Sequence, residues 1–96
     1  MHSFSDERLH LITARGRALG DPTRVRILAA LRGGEHAVGW IATATATRQS
    51  TASKHLQVLH QAGLVRRRRH ASTVLYSLSS ANVLRVCGVL GVRDLV

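Results

Sequence analysis

The side chains best suited to chemistry in this sequence lie between Arg48 and His70. A segment with helical periodicity there has one apolar face, and its other side carries residue types that read base edges or bind phosphate: Arg48, Gln49, Ser50, Ser53, Lys54 and Gln57. The basic run Arg66–Arg69 follows, and no acidic residue lies between His36 and Arg93. Because uncompensated like charges repel, such a block indicates a polyanionic partner, and we interpret it as a nucleic-acid-binding surface.

The two parts of this surface are expected to act differently. The helix should set sequence preference, because the major groove of double-stranded DNA admits one α-helix, whereas the arginines should set affinity and register through phosphate contacts. Side chains alternate along a strand, so we assign Arg67 and Arg69, together with His70, to DNA. Thr51 and His55 belong to the predicted DNA-binding set, although each also has an interpretation as a packing residue.

Other kinds of chemistry find little support in the sequence. Cys87 is the single cysteine, which excludes an internal disulfide and a multi-cysteine metal cage. The six histidines show no metal-ligand spacing, and there is no ordered nucleophile and base and no phosphate-binding loop. We therefore expect no enzyme activity, no cofactor and no metal site. One alternative stays open, a non-standard site between subunits that senses metal or redox state through His10 and Cys87.

Size and charge narrow the class of protein. The chain has 96 residues, 14 Lys and Arg against 5 Asp and Glu, a net charge of +9 and 45% hydrophobic residues. This length predicts a single domain over residues 1–96, and the hydrophobic fraction is too high for a disordered chain. No apolar run is long enough for a membrane span, and the N-terminus lacks the pattern of a secretory signal. We expect a cytoplasmic protein with no membrane partner.

Caps and periodicity predict the elements that position the basic surface. Ser5 and the Asp21-Pro22 pair have the features of helix starts, Gly20 and Gly33-Gly34 those of helix ends, and Ala62-Gly63 marks another end. Trp40 and Tyr76 are expected in the core. The predicted fold is mostly α with a small β-hairpin: helices over about 5–19, 21–32, 38–44 and 49–61, strands at 64–69 and 73–78, and a last helix after Ser79-Ser80.

Three segments resemble the ArsR/SmtB repressors. Ala18–Leu28 is similar to the opening of that family, Gln49–Leu56 with the following Ala62–Val65 to its recognition helix and exit, and Val74–Leu78 to its second wing strand. The resemblance covers roughly residues 9–80 and implies a winged helix-turn-helix in a bacterial, homodimeric repressor that binds an inverted-repeat operator. It also implies a dimer interface from the first and last helices, segments 5–19 and 80–96, which here carry Leu9, Ile12, Val83, Val86, Cys87 and Leu90.

The sequence also departs from that family. Ala37 and Gly39 stand where thiolate-sensing members have cysteines, and Ala81–Val96 contains no histidine, so neither usual metal site is expected and the effector is unknown. Arg48 stands where a serine cap is common, which leaves Thr47 as the expected cap, and Ala71 stands where the wing turn often has glycine. The alternative from another class is a winged-helix module that docks an acidic partner protein.

Overall fold

The computed structural model describes residues 3–90, which form five α-helices and a three-stranded antiparallel sheet. Residues 91–96 of the predicted dimerisation segment, including Asp94, lie outside the described residues. A short 3-10 helix at Leu31–Gly33 extends the second helix. In chain order the elements are α1 Asp6–Ala18, α2 Pro22–Ala30, β1 His36–Ala37, α3 Val38–Ala44, α4 Gln49–Gln61, β2 Val65–His70, β3 Thr73–Leu78 and α5 Asn82–Val89.

Side-chain caps begin the first two helices, as predicted. The hydroxyl of Ser5 accepts a hydrogen bond from the Arg8 backbone N–H at 3.2 Å. The carboxylate of Asp21 accepts from the backbone N–H groups of Thr23 and Arg24, at 2.7 and 3.2 Å, and Pro22 occupies the first helical position. These caps satisfy donors that a helix N-terminus otherwise leaves free, and so they fix where α1 and α2 begin.

The predicted bounds of α3 and α4 are confirmed, but the predicted Thr47 cap is wrong. Arg48 takes the N-cap position of α4 with extended backbone angles, and no side chain caps this helix. The Thr47 hydroxyl instead lies 3.0 Å from the hydroxyl of Thr45. Thr45 is buried and donates to the Ile41 carbonyl at 2.8 Å, so both hydroxyls hold the turn between the helices.

The hairpin is confirmed, and it belongs to a sheet that the sequence did not reveal in full. The strand order is β1-β3-β2, and His36 and Arg67 pair with Tyr76 from opposite sides. With only two residues, β1 is too short to show the alternation that marks a strand. The turn contains Ala71 at a φ of +55°, a left-handed conformation that glycine adopts more easily.

The core joins the helices to the base of the hairpin. Fully buried side chains come from α2, α3 and α4 at the spacings that predicted those helices: Ile27, Leu28, Ile41, Leu56 and Leu59. Tyr76 is buried as expected, but the expectation for Trp40 is wrong, since its side chain is 46% exposed. The buried face of α3 is formed by Ile41 and Ala42, which leaves Trp40 pointing away from it.

Among the described residues, no helix has the length and apolar character that crossing a bilayer requires.

Candidate nucleic-acid interface

Helix α4 presents one polar face to solvent. Ala52, Leu56 and Leu59 are fully buried and anchor it against the core. The opposite side lies at the surface, with Ser53 and His55 half-buried at its margins. Ser50, Lys54 and Gln57 lie opposite the buried anchors. Arg48, Gln49 and Thr51 are also exposed and surround the first turn, and none of the exposed members of the predicted DNA-binding set is acidic.

The turn before α4 places the two helices in close contact. Ala46 has a φ of +54°, and the Thr47 backbone N–H donates to the Ala42 carbonyl at 2.9 Å. At Gly39 of α3, an added Cβ would lie 3.5 Å from the side-chain oxygen of Gln49. The beginning of α4 therefore packs directly on α3, which fixes the angle at which the polar face is presented.

Arg24 is a positioning residue that the sequence interpretation missed. Its Nε donates to the Ala18 carbonyl at 2.8 Å and its Nη2 to the Arg17 carbonyl at 3.1 Å, at the end of α1. Its Nη1 lies 3.4 Å from Nδ1 of His55 in α4. The sequence held one signal: Arg24 precedes the buried Ile27 and Leu28 by three and four residues, which puts it on the apolar face of α2.

This contact gives His55 a packing role, and its predicted contact with DNA stays a prediction. Nδ1 of His55 lies within hydrogen-bond distance of the Arg24 guanidinium, a group that can only donate. The half-buried imidazole thus packs against α2 and links that helix to α4. The other end of α4 is held by Arg15 of α1, whose Nε donates to the Ala62 carbonyl at 2.9 Å.

The cap of α2 contributes a fixed negative charge beside this contact. Desolvation raises the pKa of the Asp21 carboxyl, but the backbone N–H groups of Arg24 and Thr23 and the nearby positive charge outweigh it. The net effect is a pKa below the usual value for aspartate. Asp21 therefore stays ionised at neutral pH and holds the start of the helix from which Arg24 reaches α4.

Strand register divides the arginine run between the two faces of the sheet. Arg67 pairs with Tyr76 and Arg69 with Val74, so these two side chains share the face that also carries the buried Tyr76. Arg66, Arg68 and His70 alternate to the opposite face. All four arginines are exposed. The structure thus groups Arg67 with Arg69, as assigned from the sequence, but separates His70 from them.

One arginine of the run is neutralised by a residue distant in sequence. Arg68 makes a two-bond ion pair with Glu35, with Nε to Oε2 at 2.6 Å and Nη2 to Oε1 at 2.7 Å. The Arg68 hydrogen bond holds the pKa of Glu35 below its usual value, and the pKa of Arg68 is raised in turn. The expectation that the whole run is uncompensated is therefore wrong at Arg68, because strand pairing brings Glu35 across the sheet.

Apolar side chains of α1 and α5 form a second exposed surface. Leu9, Ile12, Val86 and Leu90 from the predicted dimer set are exposed, Ile12 by 46% and Leu90 by 68%. The other two members of that set, Val83 and Cys87, pack inside the protomer, where burial raises the pKa of the Cys87 thiol. Leu11 and Val89 are further exposed apolar residues of these two helices. Within residues 3–90, His, Cys, Asp and Glu side chains form no group of three or more that could hold a metal ion.

Comparisons with known proteins agree with this architecture. Residues 19–68 match a family model described as a helix-turn-helix domain. The HTH-type transcriptional regulator Rv0324 of Mycobacterium tuberculosis is 40% identical over 77 residues, 80% of this chain and 34% of the relative. Nodulation protein NolR of Rhizobium meliloti is 42% identical over 73 residues, 76% of this chain and 60% of the relative. The chain thus spans about a third to three fifths of the length of these curated relatives.

A solved structure extends the similarity to almost the whole chain. The solution structure of the homodimeric winged helix-turn-helix DNA-binding domain of Mb0332 from Mycobacterium bovis superposes with a TM-score of 0.81 at 36% identity. The match covers 98% of this chain and 90% of that one. The shared architecture includes the two helices and the hairpin that carry the basic surface described above.

Proposed function

The chain belongs to the ArsR/SmtB family of winged helix-turn-helix transcriptional regulators, and from this membership we propose that it is a homodimeric repressor that binds an inverted-repeat operator in double-stranded DNA. The observation that carries the proposal is the exposed, acid-free face of α4, which runs from Arg48 to Gln57. A repressor acts on chromosomal DNA, so its working compartment is the cytoplasm.

Helix α4 is the element that enters the major groove. Its exposed side chains are the ones that such a groove selects, since Arg and Lys bind guanine or phosphate and Gln binds adenine with paired hydrogen bonds. Gln49 and Arg48 lie at the N-terminal end of α4, the part of a recognition helix that approaches the base edges. Ser50, Ser53 and Thr51 add short hydroxyls that tolerate either base or phosphate. Support for this role comes from the firm anchoring of the buried side of α4.

The hairpin contacts the phosphate backbone beside the groove. Arg67 and Arg69 share one sheet face, and neither makes an ion pair within residues 3–90. Each phosphate that they neutralise releases condensed counterions from the duplex, so binding should weaken steeply as salt rises. His70 lies at the tip of the hairpin on the opposite face, and we expect it to contact DNA only at the edge of this interface.

Two copies pair through the exposed apolar side chains of α1 and α5. Leu9, Ile12, Val86 and Leu90 would otherwise leave large apolar side chains in water on a small domain. A two-fold axis through this surface makes it self-complementary and presents two α4 helices to one duplex. The two half-sites should then be centred about one helical turn apart, roughly 34–36 Å, and the operator should be an inverted repeat.

The experiment is gel retardation with DNA from the region upstream of the gene. The upstream fragment should be retarded in the presence of excess competitor DNA, at physiological salt, and footprinting should show two protected half-sites. Lys54→Ala should weaken this binding, whereas Arg26→Ala, which removes an exposed positive charge from α2, should leave it nearly unchanged. Equal retardation of upstream and competitor DNA, or no retardation of either, would contradict a sequence-specific repressor.

A further inference from the structure

The indole of Trp40 is exposed at the surface and takes no part in the hydrophobic core. It is the single tryptophan of the chain, it lies on α3, and 46% of its side chain is accessible. Its indole stacks in parallel on the imidazole of His36, with ring centroids 3.3 Å apart and planes 9° from parallel. The stack holds the indole in one orientation while its edge and outer face stay in solvent. A large amphipathic ring held in this way has the features of a contact residue.

Neighbouring residues connect the indole to both parts of the proposed DNA-binding surface. On one side, the preceding residue Gly39 packs against the side chain of Gln49 at the start of α4. On the other side, His36 pairs with Tyr76, and Tyr76 pairs with Arg67 of the hairpin. Neighbouring strands place such partners about 5 Å apart on the same face. A continuous row of side chains therefore runs from the hairpin to α3, in the order Arg67, Tyr76, His36 and Trp40.

We propose that Trp40, positioned by His36, is a third contact to the duplex and binds its sugar–phosphate backbone between α4 and the hairpin. The inference rests on the proposed function and adds α3 to the interface. The indole N–H is a donor without an acceptor role, which suits a phosphate oxygen, and the apolar ring face suits a deoxyribose. Glu35, the acidic neighbour of His36, does not oppose this contact because Arg68 binds it on the other face of the sheet.

The test uses the fluorescence of the single tryptophan as a direct reporter. Unlabelled mixed-sequence duplex is titrated into the full chain at low salt, and quenching of Trp40 by acrylamide is compared before and after saturation. Binding is measured separately by the anisotropy of a labelled copy of the same duplex. The acrylamide quenching constant should fall on saturation. Trp40→Ala should weaken binding about tenfold, since it removes one hydrogen bond to a charged group, and Trp40→Phe should lose part of that affinity.

The variants separate a contact role from a folding role. Phe4→Ala removes an exposed phenylalanine ring and should leave duplex affinity unchanged, and thermal melts show whether each variant is folded. His36→Ala should weaken binding in the same direction as Trp40→Ala by releasing the indole. Unchanged quenching on a duplex that demonstrably binds, or wild-type affinity in both Trp40 variants, would overturn this inference alone. A wild-type protein that binds no duplex would overturn the proposed function and this inference with it.

Discussion

Nη1 of Arg24 in α2 lies 3.4 Å from Nδ1 of His55 in α4, and the same guanidinium donates to two backbone carbonyls at the end of α1. One side chain therefore joins three helices at the base of the basic surface. The contact therefore links α4 to α2 and to the end of α1. The position of the polar face of α4 thus depends on a side chain of α2.

Removal of this side chain should destabilise the fold. Arg24→Ala loses two hydrogen bonds to carbonyls and the His55 contact, which together should cost about 2–3 kcal/mol and lower Tm by roughly 10 °C. Thermal melts followed by circular dichroism check the change. Arg26→Ala is the matched control, because it removes an exposed arginine from the same helix. Equal melting temperatures for the two variants would contradict the role given to Arg24.

Within the arginine run, Arg67 and Arg69 should contribute more to DNA binding than Arg68. Replacement of both Arg67 and Arg69 by Gln should lower affinity and reduce the slope of log K against log salt by about 2, because two phosphate contacts are lost. The double change Glu35→Gln with Arg68→Gln removes an ion pair and leaves net charge unaltered, so binding should stay near wild type. Anisotropy titrations at several salt concentrations make the comparison. A similar loss in both double variants would contradict the division of the run between two faces.

Acid should remove the contribution of the Glu35–Arg68 pair. The pKa of Glu35 is lower in the folded protein than its ordinary value of 4.5. The pair therefore stabilises the fold above that value, and its contribution is lost as pH falls through the folded pKa. Glu35→Gln should melt a few degrees below wild type at neutral pH, and the difference should vanish on acidification. Glu7→Gln is the control, since Glu7 makes no ion pair within residues 3–90. A difference that persists in acid would contradict this linkage.

A charge placed in the exposed apolar surface should separate the subunits. Ile12→Glu and Val86→Glu each place a carboxylate where the partner should cover it, which should weaken dimerisation by at least about a hundredfold. Light scattering after size exclusion measures the mass. Thr73→Glu adds the same charge at the exposed start of β3 and should remain dimeric. Dimers that persist in both interface variants would place the interface elsewhere.

Local sequence patterns predicted the helices. They did not predict features that depend on contacts between residues distant in sequence. The bounds of α3 and α4 follow from periodicity and from the Gly63 stop, whose φ is +76°. The Glu35–Arg68 pair depends on a strand of two residues, which no periodicity reveals. Apolar character alone placed Trp40 in the core, but only the packing of α3 decides which of its apolar residues faces inward. The polar face of α4 was predictable because its buried anchors recur at helical spacing.

The central claim is that α4 sets sequence preference and the hairpin sets affinity. The most direct measurement is the ratio of affinities for the upstream operator duplex and for a scrambled duplex of equal length, in wild type and variants. We expect Arg48→Ala or Gln49→Ala to lower this ratio about tenfold or more. We expect the double change Arg67→Ala with Arg69→Ala to weaken both affinities equally and to leave the ratio unchanged. The claim would be contradicted if the α4 variants kept the wild-type ratio of affinities and the hairpin variant kept the wild-type affinity.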